Sequence, residues 1–145
     1  MKYNEQTMNQ IFNGMLWGEE KNLCPIYCVF KLKNWGNLSG DMLMGYATCT
    51  SGGWLLIVMY SPLEQVFNED PTQTYATYEI ALAKSLKIRK TIFGQYIIKM
   101  VFPAEKKDIK IRLQAAPKVF GYNFPNQKRN LEKMVEILNN IREDK

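Results

Sequence analysis

The chain contains no histidine, and only three of its 145 residues are cysteines. Without histidine, neither a Ser-His nor a Cys-His nucleophile can be assembled. A tetrahedral metal site would need more ligands than Cys24, Cys28 and Cys49 supply, and the first two do not have C-x-x-C spacing. An odd number of cysteines leaves at least one unpaired, which fits a reducing compartment. We therefore expect no metal and no cofactor, and cysteines that pack as small apolar side chains.

Long apolar runs are also missing. The first ten residues have no apolar signal core, and no run approaches the length needed to cross a bilayer. No paired acidic motif appears on a shared element, and the glycines at 52 and 53 belong to a turn rather than a phosphate loop. These absences predict a cytoplasmic protein that is not an enzyme.

The overall composition is that of an ordinary globular protein. Hydrophobic residues make up 46% and charged residues 23% of the chain, and its length fits one domain over residues 1–145. The formal net charge is +5, from 19 basic and 14 acidic residues. This mild excess favours solubility, and it also suits attraction to anionic membranes or acidic partners.

The clearest periodicity lies near the end of the sequence, where residues 124–141 are predicted to form an amphipathic helix. Asn123 or Asn126 can cap its start, and Pro125 suits the first turn. Its apolar side carries Phe124, Gln127, Leu131, Met134, Val135, Ile137, Leu138 and Ile141.

A second amphipathic helix is predicted at residues 4–17, with Asn4 as its cap and Gly18 at its end. Its apolar side carries Met8, Ile11, Phe12, Met15 and Leu16. The polar side has no lysine or arginine, which argues against a helix lying on a membrane surface. We expect this helix to pack on its own domain or on a second copy.

Three strands are predicted in the first half of the chain, at residues 26–33, 41–50 and 54–60. The first two are joined by a turn at 34–40 and the last two by a tight turn at 51–53. The third run, WLLIVMY, is apolar on both of its sides. An antiparallel sheet normally exposes one face to water, so the N-terminal helix or another subunit must cover the second face.

The second half is predicted to hold a short helix at 61–68, a polar loop at 68–77 and an extended segment near 78–82. Alternating runs follow at 85–92, 96–102 and 109–113, with apolar residues on one side and basic residues on the other. The predicted fold is mainly β with helices: a bent antiparallel sheet or partly open barrel of about seven strands, closed by the C-terminal helix.

Three stretches carry a resemblance to a known family: KIRKTIFGQYIIKMVF (87–102), KKDIKIRLQ (106–114) and FPNQKRNLEKMVEIL (124–138). The pattern resembles a pleckstrin-homology-like (PH-like) domain of the bacterial, GRAM-related kind, over roughly residues 23–141. The resemblance implies a β-core at about 23–122 and a capping helix at about 124–141. It also implies binding of lipid headgroups, peptides or protein chains rather than catalysis.

The basic cluster of phosphoinositide-binding PH domains is only half matched. Lys31 and Lys33 fit its first half, but residues 41–44 (DMLM) supply no further bases. The tryptophan common in the terminal helix of eukaryotic members is absent as well. These departures argue against specific phosphoinositide binding.

The candidate lipid or partner surface is a set of basic residues with one tryptophan. Its members are Lys31, Lys33, Trp35, Lys87, Arg89, Lys99, Lys110 and Arg112. The basic residues could bind anionic lipid, an acidic partner or nucleic acid, or could form a solvated face that discourages edge pairing. Binding of nucleic acid is disfavoured because the aromatic residues of these strands are predicted to face the core, on the side opposite the basic residues. Trp35 could insert into a membrane or a partner pocket, or could fold back over the sheet.

Three functions remain open from the sequence. The leading hypothesis is a non-enzymatic PH-like interaction module that acts by protein association or forms a homo-oligomer. The alternative is peripheral binding to anionic membrane lipids through the basic sheet face. The third is a small barrel that holds an apolar ligand.

Overall fold

The computed structural model describes residues 3–34, 42–60 and 73–143. These residues form a helix at each end and one antiparallel sheet of seven strands. The elements are α1 (Glu5–Met15), β1 (Ile26–Lys33), β2 (Met42–Cys49), β3 (Trp54–Tyr60), β4 (Gln73–Glu79), β5 (Ser85–Lys90), β6 (Tyr96–Phe102), β7 (Ile109–Ala115) and α2 (Gln127–Glu143). The strand order is β4-β3-β2-β1-β7-β6-β5, which leaves β4 and β5 at the edges. The predicted mainly-β class with two terminal helices is confirmed.

The strand β4 corrects the prediction of a loop at 68–77. It pairs with β3 along its whole length, from Tyr60↔Gln73 to Trp54↔Glu79. Because β4 is an edge strand with an exposed outer side, its residues there are polar, and its threonines and tyrosines still favour a strand. A short 3₁₀ turn, Ile80–Leu82, replaces part of the extended segment predicted near 78–82. The helix predicted at 61–68 and the turn predicted at 34–40, apart from Asn34, lie outside the described residues.

The main core lies between the inner face of the sheet and α2. Alternate residues of the strands point inward and pack against the buried side chains of Leu131, Met134 and Leu138. The helix contacts β1 and β2 as well as β5, so it touches strands from both parts of the sheet order. The predicted capping role of the C-terminal helix is therefore visible as packing across the inner face.

The helix α2 begins at Gln127, later than the predicted residue 124, because the preceding residues pack elsewhere. Phe124 lies on the outer face of the sheet, 5.3 Å from the ring of Tyr27 and 6.1 Å from that of Tyr46 (centroid distances). The chain therefore passes from the outer face to the inner one before the helix starts.

Three polar side chains of the run NQKRN fix this entry to the helix. The buried amide of Gln127 accepts from the Tyr27 N–H (3.0 Å) and donates to the Tyr27 carbonyl (2.8 Å). Asn130 donates to the carbonyl of Pro25 at 2.9 Å. The Glu5 carboxylate accepts from the backbone and side-chain N–H groups of Asn126 at 3.0 and 2.9 Å. These residues are structural, since Gln127 and Asn130 satisfy backbone groups of Tyr27 and Pro25. The Glu5 carboxylate satisfies the Asn126 N–H just before α2.

The outer face of β2 and β3 is covered by α1. Met8 and Phe12 are fully buried there and pack with Leu56, Val58 and Tyr60, the outward-facing residues of β3. Asn4 caps the helix by accepting a hydrogen bond from the Thr7 N–H at 2.7 Å. Of the two covers that the sequence left open for Trp54–Tyr60, the structure therefore shows the N-terminal helix.

Candidate functional site: a basic sheet face

The other half of the outer face carries a row of basic residues. The register places Lys31 of β1 opposite Arg112 of β7, Arg112 opposite Lys99 of β6, and Lys99 opposite Lys87 of β5. We call these four residues the basic row. Neighbouring strands lie about 4.8 Å apart, so the row extends over about 15 Å. All four side chains point to the same face because paired residues share a side of the sheet.

Three further predicted residues flank the basic row. Lys33 lies opposite Lys110 on the β1–β7 pair, two residues along from the row. Arg89 lies two residues from Lys87 on β5 and therefore faces the same side. The structure thus brings together seven of the eight predicted surface residues; the eighth, Trp35, lies outside the described residues.

The charges of the basic row lack partners within the described structure. Like charges directly opposite one another on neighbouring strands destabilise a sheet. The ion pair formed within residues 3–34, 42–60 and 73–143 joins Lys84 to Asp108 at 2.9 Å and includes none of the seven basic residues. The Arg112 Nε atom is buried and has no hydrogen-bond partner among the described residues. An anion bound at this face would therefore lower the repulsion.

A groove of about 550 Å³ opens along this face. Its lining includes all four residues of the basic row together with Lys33 and Lys110. Val101 and Ser85, which have shorter side chains, continue the line of Lys33 and Lys110 onto β6 and β5 and also line the groove. The groove therefore combines six basic side chains with a lining that is mostly apolar.

The cysteines form no comparable site. Cys24, Cys28 and Cys49 are free and buried, as predicted. Burial raises the pKa of the Cys28 thiol, so it stays protonated at neutral pH. The Cys49 N–H donates to Cys24 Sγ at 3.4 Å, which places these two residues side by side on the inner face. The described part of the chain also contains no group of three or more metal-ligating side chains.

Two features were not found by sequence reasoning. One is a cluster of tyrosines beneath the N-terminal segment, in which the ring of Tyr3 lies 5.0 Å from Tyr27 and 5.6 Å from Tyr60 (centroid distances). The other is the tip of the β5–β6 hairpin, where Ile92 is 94% and Phe93 85% exposed. The dipeptide Ile-Phe directly before Gly94 was the available signal for the second feature, since polar residues normally occupy such turns.

Comparison with known proteins supports the fold but gives no information about function. No protein-family model matches the chain, and no curated protein matches it. Among solved structures, the chain is similar to the hSac2 domain from the human phosphoinositide phosphatase Sac2, with a TM-score of 0.54 and 11% sequence identity. The alignment covers 96% of this chain and 80% of that one. The seven-stranded antiparallel sheet of this chain agrees with the number of strands predicted from the sequence; membership of a PH-like family stays a prediction.

One further observation bears on membranes. In the described residues, neither helix combines the length and the apolar character that crossing a bilayer requires.

Proposed function

We propose that the protein binds anionic membrane surfaces peripherally, through the basic row and its neighbours Lys33, Lys110 and Arg89. The observation that carries the proposal is the placement of four basic side chains in register across four strands, with no described ion pair among them. Each lysine or arginine close to an anionic bilayer contributes about 1 kcal/mol to binding. A face with this many bases can therefore hold a protein at a membrane without a spanning segment.

The competing proposal of self-association has lost its main support. It was motivated by an apolar strand and an amphipathic helix that both needed cover, and α1 and β3 cover each other within one chain. The solved hSac2 domain comes from a phosphoinositide phosphatase, which is consistent with a lipid-facing role for this fold. Since residues 41–44 lack the second half of the phosphoinositide motif, we propose recognition of surface charge rather than of one headgroup.

Vesicle flotation tests the proposal. The protein should float with phosphatidylserine-containing vesicles, should stay behind with pure phosphatidylcholine, and should be released by salt because the attraction is screened. Charge reversal at Lys99→Glu/Arg112→Glu should abolish the binding. The matched control is Lys128→Glu/Arg129→Glu, which makes the same change in net charge on the exposed side of α2.

Two results would overturn the proposal. One is the absence of binding to acidic vesicles at low salt, where electrostatic attraction is strongest. The other is an equal loss of binding in both double variants, which would show that net charge alone matters. Displacement by millimolar inorganic phosphate would move the assignment from a membrane to a soluble anion.

A further inference from the structure

The tip of the β5–β6 hairpin, residues 91–95, presents two large apolar side chains to solvent. Ile92 is 94% and Phe93 is 85% exposed, more than any other large apolar residues among those described. They occupy the two central positions of a turn, where polar residues and glycine are usual. Their exposure is not shared by neighbouring apolar residues of β5 and β6, such as Ile98, which is fully buried.

The backbone holds these side chains outward. The Gly94 N–H donates to the Thr91 carbonyl at 3.0 Å, and the Thr91 N–H donates to the Gln95 carbonyl at 2.8 Å. The hydroxyl of Thr91 accepts a further bond from the Gln95 N–H at 3.2 Å. Gly94 has φ +84°, which closes the turn in the left-handed conformation that glycine adopts without strain. The turn is thus pre-organised, so little ordering is needed when it meets a partner.

Two basic residues lie beside the tip. Arg89 and Lys90 precede it directly, and the Lys90 ammonium lies 5.5 Å from the ring centroid of Tyr96 on the opposite strand. Arg89 is within three residues of Ile92, so its charge lies about a Debye length from the tip. The basic row follows along the same strands. An apolar projection beside a cationic face is complementary to the boundary between anionic headgroups and acyl chains.

A third exposed apolar side chain lies near Gln95, the last residue of the tip. Phe120, in the segment after β7, is 80% exposed, and the Lys118 ammonium lies 5.2 Å from its ring centroid. Phe120 and Gln95 line the same cavity of about 300 Å³, which places this segment beside the start of β6. The pattern of an apolar ring next to a lysine is therefore repeated at this corner of the molecule.

We propose that Ile92 and Phe93 insert into the bilayer interface and orient the protein on the membrane, with Phe120 beside them. This inference rests on the proposed function, because the basic face supplies the attraction that brings the tip to the surface. The hairpin then enters between headgroups while Arg89 and Lys90 contact lipid phosphates. Burying each large apolar side chain strengthens partitioning by about tenfold or more.

An environment-sensitive label tests the insertion directly. Since all three native cysteines are buried, Phe93→Cys can be labelled selectively with a nitrobenzoxadiazole dye in the folded protein. On phosphatidylserine-containing vesicles its emission should rise, shift to the blue and be quenched by lipids brominated on their acyl chains. The same label at Glu105→Cys, in the exposed β6–β7 loop at the other end of the strands, should stay in water.

The vesicle affinities of two unlabelled variants supply an independent measurement. Ile92→Ser/Phe93→Ser should weaken binding to acidic vesicles about a hundredfold, roughly tenfold for each side chain, while leaving the salt dependence unchanged. Trp17→Ser is the matched control, because Trp17 is 84% exposed but follows α1 on the opposite half of the sheet. This control should bind as the unmodified protein does, and an equal loss in both variants would overturn the proposal.

The outcomes separate the inference from the proposed function. If the protein binds acidic vesicles with salt sensitivity while the label at position 93 stays in water, the insertion is wrong and the basic face alone binds. If the label responds equally on neutral vesicles, the electrostatic function is wrong and the apolar tip acts by itself. A dimer that Ile92→Ser/Phe93→Ser converts to monomer in sedimentation would assign the tip to a second copy and overturn the insertion.

Discussion

The outer face of the sheet has two halves that differ in almost every property. The half formed by β2 and β3 is apolar, carries Tyr46, Leu56 and Val58, and is covered by α1. The half formed by β5, β6 and β7 is basic and carries no helix within the described residues. The strand β1 belongs to both, since it passes from Tyr27 in the covered cluster to Lys31 in the basic row.

This difference shows how a single sheet separates stability from binding. Apolar side chains on the covered half contribute by leaving water, and a helix without basic residues on its polar side can pack over them. Basic side chains on the open half cannot be covered by the same helix without losing their hydration. Sequence alternation therefore decides which half gains a second core and which half stays available to a charged partner.

The largest expected effect comes from breaking the covered half. Phe12 is fully buried against the outer face, with its ring centroid 6.5 Å from that of Tyr46. Truncation by Phe12→Ala should lower the free energy of unfolding by about 3–5 kcal/mol, because it removes a large apolar side chain and leaves a cavity. Urea denaturation followed by circular dichroism measures this loss.

The exposed neighbour Asn13 supplies the control on the same helix. Asn13→Ala should change the free energy of unfolding by no more than about 0.5 kcal/mol, as surface substitutions usually do. Equal, small losses in both variants would mean that α1 does not cover β3 in solution. Sedimentation would then show whether a second copy covers it instead.

The covered half was largely foreseeable from the sequence, and the reason is local. The helical spacing of Met8 and Phe12 and the doubly apolar run of β3 each describe a surface that needs a partner. Periodicity alone could not decide between a partner in the same chain and one in another subunit. That choice depends on long-range contacts, such as the hydrogen bond from the Glu5 N–H to the Asn123 carbonyl (2.9 Å).

The open half was foreseeable in its parts but not in its assembly. Alternation within β5, β6 and β7 correctly placed Lys87, Lys99 and Arg112 on the exposed side of their own strands. Nothing local indicated that β1 pairs with β7 and so places Lys31 beside Arg112. The edge strand β4 was missed for a related reason: polar residues at an edge look like a loop when the pairing partner is unknown.

A second effect on the covered half is confined to alkaline pH. Burial raises the pKa of Tyr27 to about 12, and it raises the pKa values of Tyr3 and Tyr46 still further above their usual range. The unfolded chain releases these protons near pH 10, the ordinary pKa of tyrosine, whereas the folded protein retains them. Stability should therefore be unaffected below that pH and should fall above it by about 1.4 kcal/mol per pH unit for each such tyrosine.

Urea unfolding at a series of pH values between neutral and strongly alkaline measures this slope. Tyr3→Phe is the informative variant, because the Tyr3 hydroxyl is buried without a hydrogen-bond partner among the described residues. The variant should equal or exceed the parent in stability at neutral pH, by up to about 1 kcal/mol. Its alkaline slope should be shallower, and an unchanged slope would show that Tyr3 does not contribute.

The smallest expected effect on stability concerns the open half of the outer face. Lys99 lies between Lys87 and Arg112. Lys99→Glu therefore turns two repulsive cross-strand interactions into two attractive ones. Cross-strand pairs contribute about 0.2–1 kcal/mol each, and screening by solvent reduces this at an exposed position. We expect a gain of about 0.5 kcal/mol in the free energy of unfolding at low salt, which disappears as salt is added.

The same substitution should weaken binding to acidic vesicles, so stability and binding should change in opposite directions. Lys99→Gln removes the repulsion without adding attraction, and it should give about half of the stability gain. Lys133→Glu, on the exposed side of α2, changes the net charge equally but should leave vesicle binding intact. A loss of stability in Lys99→Glu, with the same dependence on salt as the parent, would show that the four bases do not repel one another. The open half would then be an ordinary solvated face, on which water screens the charges and no anion site is formed.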